Sequence, residues 1–430
     1  MPYSQEHIKK VARYNATVMV MEGSLFVLTI SLLDASSVVS VFLNAVMGTA
    51  VWSGVASAIA FLFPLLGTLY MGRRIAALKN QQRTMAIMSF FLRPTFIFIV
   101  LALIFDLPPV TLGIIFLFCY ALYYFGEGNI NLLWTEILVR TQPLENRVAI
   151  TSRQRIYGGI VGLLGAEIIR RTLSSQMALN AKFILIFSLA LASCVINAIL
   201  LYLIRDLPPE DERPKTSPGW GVYLRSFMPL FTQEKEVRQT IGAKAFFQMA
   251  MMSAPLNILY CINHGNITHN QAGMLMYMPV IGSILGGMFW TWYSRRFGYP
   301  RVIVATMCVM VLSAVCTLAA LALAPGGANV FVLMGLAMIF MSFNLGAHHA
   351  YNHHVISIVP QRDRAQYFVL LSLLVAPFTL SSILAGTITD VFGYLPAYLL
   401  QAIVAVGGLF YALRFYKTRN SAKEGYVLPS

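Results

Sequence analysis

An all-α fold that crosses a membrane twelve times is what the sequence predicts, on three observations. Of 430 residues, 58% are hydrophobic and 11% charged, with a mean hydropathy of +0.69; soluble domains carry about a quarter charged residues. Apolar stretches of about 18 or more residues recur along the chain, long enough to cross roughly 30 Å of hydrocarbon as helices. Basic residues gather on alternate connections between those stretches. The period-2 alternation of a membrane β-barrel is missing.

The spans fall at about 15–41, 48–71, 85–105, 109–138, 148–170, 181–204, 239–262, 270–293, 301–324, 328–356, 365–388 and 394–415. Turn chemistry separates them, as in Asp106-Leu-Pro-Pro109, Gly298-Tyr-Pro300 and Pro325-Gly-Gly327. The longest polar stretch, 205–238, divides six spans from six. The expected organisation is therefore an N-terminal six-helix bundle at 1–204, a cytoplasmic linker at 205–238, and a C-terminal six-helix bundle at 239–430 with a short basic tail. Of the 31 Lys and Arg residues, 26 fall on the N-terminus, the even-numbered connections and the C-terminal tail. That asymmetry puts both termini and the linker in the cytoplasm. The +14 formal charge thus reads as orientation in a bilayer, and no nucleic-acid partner is expected. Glu6, Lys9, Lys10 and Arg13 precede a first apolar run long enough to span, so no cleaved signal peptide is expected. The five cysteines read as small buried hydrophobes, and Trp52, Trp290 and Trp292 as interfacial residues.

The halves repeat. Pro143-Leu-Glu-Asn-Arg147 recurs as Pro360-Gln-Arg-Asp-Arg364, offset by 217 residues. The same offset carries Glu127, Asn131 and Trp134 onto Asn344, His348 and Tyr351. Each trio is spaced i, i+4, i+7 and shares one helical face. Such a stripe either lines a cavity or joins helices by hydrogen bonds.

With this topology the chain resembles the major facilitator superfamily over nearly its whole length. Gly72-Arg73-Arg74 through Lys79, and Ser294-Arg295-Arg296-Phe297-Gly298-Tyr-Pro-Arg301, look like degenerate copies of the family's loop signature, each lacking its Asp. Gly386-Thr-Ile-Thr-Asp390-Val-Phe-Gly393 at the end of span 11 is a cleaner echo. The resemblance implies two pseudo-symmetric six-helix bundles that rock around a central site. It implies a secondary transporter rather than an enzyme, and the leading reading is a carrier of a small organic solute coupled to protons. No nucleophile–base set or phosphate loop argues otherwise.

A charge in the middle of a bilayer costs about 2.5–3.5 kcal/mol on insertion scales, so each demands a partner or a purpose. Glu22, Arg93, Glu127, Arg153, Arg155, Glu167 and Lys244 fall inside spans. Glu127 is the first candidate for proton coupling and Glu22 the second, with Arg153 and Arg155 as the cations that would trade places with the proton. Solute contacts are expected from Glu22, Glu127, Asn131, Trp134, Asn344, His348, Tyr351 and Asn352. A permanent salt bridge is the plainer alternative.

Metal chemistry supplies a second reading, a transition-metal or metal-chelate carrier. His349 and His353 stand at i, i+4 and could share an ion, while the plainer reading puts His353 and His354 at the interface as wet imidazoles. Met252, Met274 and Met278 offer thioethers. A non-transporting membrane receptor is a third reading. No cofactor is expected. The expected setting is a bacterial inner membrane, with a monomer, lipid, solute and H⁺ as the components. Asn266-Ile-Thr268 matches a glycosylation sequon, and the glycines of span 5 read as close helix packing.

Overall fold

The computed structural model describes residues 5–78, 80–207, 219–225, 235–347 and 364–424, with Ser217, Ala350, Tyr351, His354, Val355 and Ile358 in addition. Among them there is no β-strand. Two compact units emerge, one of Met1–Gly48 with Ile59–Arg225, the other of Thr49–Ala58 with Ser226–Ser430.

The first unit holds α1 (Gln5–Leu32), α2 (Val38–Met47), most of α3 (Ala50–Arg74), α4 (Gln81–Leu92), α5 (Ile97–Ile104), α6 (Pro109–Thr141), α7 (Leu144–Ser174), α8 (Leu179–Leu203) and the short α9 (Trp220–Arg225). Span 1 is α1 continued by α2 across a break at Asp34, whose carboxylate accepts the hydroxyls of Ser36 and Ser37, both at 2.6 Å. Span 3 is α4 and α5, parted at Arg93–Phe96 by a 3₁₀ turn. Pro94 explains the break, since it lacks an N–H and its ring crowds the preceding turn. Span 5, α7, is long enough to cross at 31 residues, but its charges set it apart from the ten apolar spans found among the described residues.

The second unit holds α10 (Lys235–Ala250), α11 (Ala254–His264), α12 (His269–Met274), α13 (Tyr277–Phe297), α14 (Tyr299–Leu323), α15 (Phe331–Leu345), α16 (Arg364–Val375), α17 (Ser381–Phe392) and α18 (Tyr394–Glu424). Pairs of these make single spans: α10 with α11, and α16 with α17 through a 3₁₀ turn at Ala376–Leu380 that contains Pro377. Span 10 is α15 and its continuation, much of which lies outside the described residues.

Glycines let helices touch backbone to backbone where the bilayer supplies no hydrophobic drive for helix association. In the first unit a Cβ on Gly128 of α6 would collide with the carbonyl of Pro64 in α3, and one on Gly67 with the carbonyl of Phe125. Gly158 and Gly165 of α7 face Val27 and Leu28 of α1, which is the close packing expected of that span. Backbone cannot retreat as a side chain can. Gly128→Val is therefore expected to lower stability by at least about 1–3 kcal/mol, read as a fall in the thermal midpoint of the detergent-purified protein.

In the second unit the end of span 11 has a defined job. Both oxygens of the Asp390 carboxylate accept backbone N–H groups at the start of α3, Ala50 at 2.7 Å and Val51 at 2.8 Å. A carboxylate at a helix N-terminus satisfies orphan donors and complements the dipole. Gly386, one turn earlier, meets the backbone of Val51, and Gly393 turns the chain at φ +83. The Gly386–Asp390–Gly393 pattern is accounted for by these contacts.

Two expectations need correction, Trp290 and Cys308. Trp290 is not interfacial: it is 2% exposed, and its indole N–H donates to the Phe343 carbonyl at 2.9 Å. Cys308 is exposed on α14, where a thiol can face lipid as any small apolar group does. The sequon Asn266 spends its side-chain amide on the Ala324 carbonyl at 2.9 Å and the Ala328 carbonyl at 3.4 Å, so in the fold it fastens one loop to another.

Candidate functional site

The charges of the first unit converge. Arg93 stands where α4 gives way to the 3₁₀ turn, Glu22 in the middle of α1 and Glu127 in the middle of α6. All three are buried, at 2%, 5% and 8% exposure. Arg93 Nε and Nη2 donate to the two oxygens of Glu127 at 2.7 and 3.1 Å, a fork-to-fork pair. Its Nη1 reaches Glu22 at 3.4 Å, a longer and single contact. The guanidinium carbon lies 5.1 Å from the centre of the Phe26 ring.

The surroundings hold these groups in place. Gln154 of α7 donates to the Met19 carbonyl at 2.7 Å, one turn below Glu22. The side-chain amide of Asn197 in α8, oriented to satisfy both its ends, spans the Glu22 carbonyl at 2.9 Å and the Phe26 N–H at 3.2 Å. Thr29 and Ser193 join hydroxyls at 2.7 Å further along α1. Tyr123, one turn before Glu127 and 1% exposed, has a buried hydroxyl without a partner among the described residues.

Arg153 and Arg155 are not the cations of this site. Gln154 is the residue that turns toward α1, and on a helix its two neighbours point about 100° to either side. Both arginines are exposed accordingly. Arg93 takes the place expected of them. Glu167 belongs elsewhere as well: it pairs along its own helix with Arg170 at 2.8 Å and with Arg171.

The repeated stripe divides into two fates. In the first unit Glu127 turns inward to Arg93, Trp134 is half-buried and Asn131 is exposed. In the second unit Asn344 and Tyr351 are fully buried and both turn to Thr306 of α14. Asn344 Nδ2 donates to the Thr306 carbonyl at 3.1 Å, and the Tyr351 hydroxyl shares a hydrogen bond with Thr306 Oγ1 at 2.9 Å. Tyr351 also packs on Phe247, ring centres 5.3 Å apart. Asn344 and Tyr351 therefore join helices within their bundle, the second of the two roles open to such a stripe. His348, His349, Asn352 and His353 lie outside the described residues.

Met252 is 1% exposed and Met274 is 37% exposed, while Met278 lies beside Gly335. No group of three His, Cys, Asp or Glu side chains among the described residues could hold an ion. His354 is not a wet interfacial residue. It is 1% exposed, with Nε2 at 3.2 Å from a Glu236 carboxylate oxygen and its ring 5.9 Å from that of Phe415. The helix that carries it turns it into the bundle against α10 and α18.

Residues 240–426 match the family model described as Major Facilitator Superfamily. No curated protein matches by sequence. The fold is shared with several solved transporters at low identity. One is a mutant form of the nucleoside transporter NupG, at 14% identity and a TM-score of 0.69, covering 93% of this chain and 98% of that one. A D-xylose-proton symporter gives 14% identity and 0.69, covering 94% and 96%. The POT family transporter PepTSo gives 12% identity and 0.68, covering 96% and 98%.

Proposed function

We propose that this chain, an integral membrane protein of the major facilitator superfamily, carries a small polar organic solute as a secondary transporter and couples that movement to protons at Glu22, Arg93 and Glu127. One observation carries the reading: two buried carboxylates share a single buried guanidinium. With both acids ionised the site holds one negative charge in excess, which a low-dielectric interior penalises heavily. One proton removes that excess. Glu22 is where it goes, because Glu127 already receives two guanidinium N–H donors and Glu22 only the longer third. The resting site is then a neutral set of acid, guanidinium and carboxylate. Releasing the proton restores the excess charge and favours any rearrangement that lets water or a cationic solute group reach the pair. The orientation suggested by the basic connections places both termini and the linker in the cytoplasm, in keeping with a bacterial inner membrane.

The shared fold with nucleoside, sugar and peptide-family transporters suits an organic solute without choosing one. The test is a thermal-stability screen of the purified protein against nucleosides, sugars, short peptides and transition-metal ions at two pH values, since a ligand that binds only the folded state raises its apparent stability. An organic solute should raise the midpoint and then move into proteoliposomes with an imposed pH gradient. Stabilisation by a metal ion alone would overturn the organic solute, and uptake indifferent to the gradient would overturn the coupling.

A further inference from the structure

Where α8 ends and the linker begins, the first unit holds a cavity of about 470 Å³, within the roughly 300–1,000 Å³ typical of small-molecule sites. Its polar wall is Tyr14, Asn80, Gln82, Tyr202, Arg205 and Asp206. We propose that this cavity binds a phosphate-type anion, presented as the headgroup of an anionic phospholipid, with Arg205 as its principal ligand.

Arg205 is held for such a task. Asn15, fully buried, grips its backbone from both sides: the Asn15 amide donates to the Arg205 carbonyl at 2.7 Å, and the Arg205 N–H donates to the Asn15 oxygen at 3.0 Å. The guanidinium carbon sits 4.3 Å from the centre of the Tyr14 ring. A guanidinium that spends its face on a ring keeps its N–H edges for acceptors, the geometry that suits a phosphate oxygen pair. Among the described residues no carboxylate pairs with it.

The acid in the wall is already neutralised. Asp206 accepts from Arg140 at 3.1 Å on one oxygen and from the Leu207 N–H at 2.9 Å on the other. The Asn80 oxygen is taken by the Arg83 N–H at 2.8 Å, which leaves the Asn80 amide N–H groups as further donors. Gln82 donates to the Tyr202 carbonyl at 2.7 Å and ties the two sides of the cavity together. The cavity is therefore a fixed cation with amide donors and no free negative charge.

The position favours lipid as the source. Tyr202 and Leu203 at its rim are 62% and 42% exposed on the last turn of a membrane-spanning helix, where acyl chains would lie beneath a seated headgroup. Its lining comes from the N-terminal segment, the basic connection between spans 2 and 3 and the start of the linker, and basic residues beside helix ends are where anionic headgroups bind.

The test uses the purified full chain in a neutral detergent, titrated with dihexanoyl phosphatidylglycerol, dihexanoyl phosphatidylcholine and inorganic phosphate while the thermal midpoint is followed. Phosphatidylglycerol should raise the midpoint saturably. Arg205→Gln should raise the half-saturating concentration about fivefold to tenfold, the loss expected for one charge-assisted contact. Arg83→Gln, outside the cavity lining, should leave it unchanged. Should Arg205→Gln fail to fold, Tyr14→Leu removes the ring that orients the guanidinium and should show the same direction of loss. Equal protection by inorganic phosphate would keep the anion site and reassign its source to a soluble ion. Equal protection by phosphatidylcholine, or an Arg205→Gln curve superimposable on wild type, would overturn the proposal.

Discussion

Arg93→Gln is expected to be the most damaging single substitution in the protein, lowering its stability by about 3–5 kcal/mol, the usual consequence of leaving a buried charge without its partner. The guanidinium is 2% exposed and is the only cation in contact with Glu22 and Glu127 among the described residues. Without it, two acids share a site that water barely enters, and both must take protons or the helices must part. The informative comparison is the double variant Arg93→Gln with Glu127→Gln. It removes the bidentate pair together, so no excess charge remains when Glu22 is protonated. Most of the lost stability should return, and the interaction energy from the double-mutant cycle should exceed about 1 kcal/mol, as it does for residues in direct contact. Midpoints from chemical or thermal unfolding in detergent supply the numbers. If the double variant is as unstable as the sum of its parents, the charge balance described above is wrong and the residues matter only as packing.

The second large effect concerns transport rather than stability. Glu22→Gln replaces the proposed proton carrier with an amide of the same shape that is permanently neutral. The protein should fold with little change, because the amide mimics the protonated acid that balances the resting site. Accumulation of the stabilising solute against a pH gradient should fall at least about tenfold, which corresponds to losing some 1.4 kcal/mol of coupling. Exchange of labelled for unlabelled solute, which needs no net proton movement, should survive. Glu127→Gln should behave differently. It leaves Arg93 with only the 3.4 Å contact to Glu22, so both exchange and accumulation suffer. Glu22→Gln that still accumulates solute would assign coupling to another group. Identical losses of exchange and accumulation in the two variants would reduce the site to a structural ion pair.

Much of the fold was legible in the chain because lipid is an exacting solvent: backbone polar groups there must be satisfied within each segment. The apolar runs therefore carried the architecture. What escaped was local. Pro94 and Pro377 mark the breaks in spans 3 and 11, yet proline is common enough in membrane helices that its presence alone does not place a 3₁₀ turn. Asp34 lies inside the first run and does not read as a helix break until Ser36 and Ser37 are seen turning back to it.

The site was half legible. Glu22, Arg93 and Glu127 declare themselves as charges in apolar runs, but linear order offers no way to choose Arg93 over Arg153 and Arg155. The signal that could have helped is Gln154: an amide that faces the bundle from between two arginines on a helix turns both of them about 100° away. Asn197, which spans the Glu22 carbonyl and the Phe26 N–H, carries no sequence signal beyond being an amide in an apolar run. The stripe shared by spans 4 and 10 was recognised as polar and periodic, but periodicity fixes a face and not what the face meets. In one bundle it meets Arg93, in the other Thr306.

The interruption of span 3 has a mechanical meaning. Its two straight pieces, α4 and α5, meet at the residue that holds both acids. Eight residues of α5 extend about 12 Å, so a swivel of about 10° at that elbow displaces its far tip by roughly 2 Å. On the proposed coupling, loading or unloading a single proton would act at a pivot, where a small change in the grip of one side chain is magnified along a rigid arm. A continuous helix with the same arginine would have to shift as one rod and could not bend there.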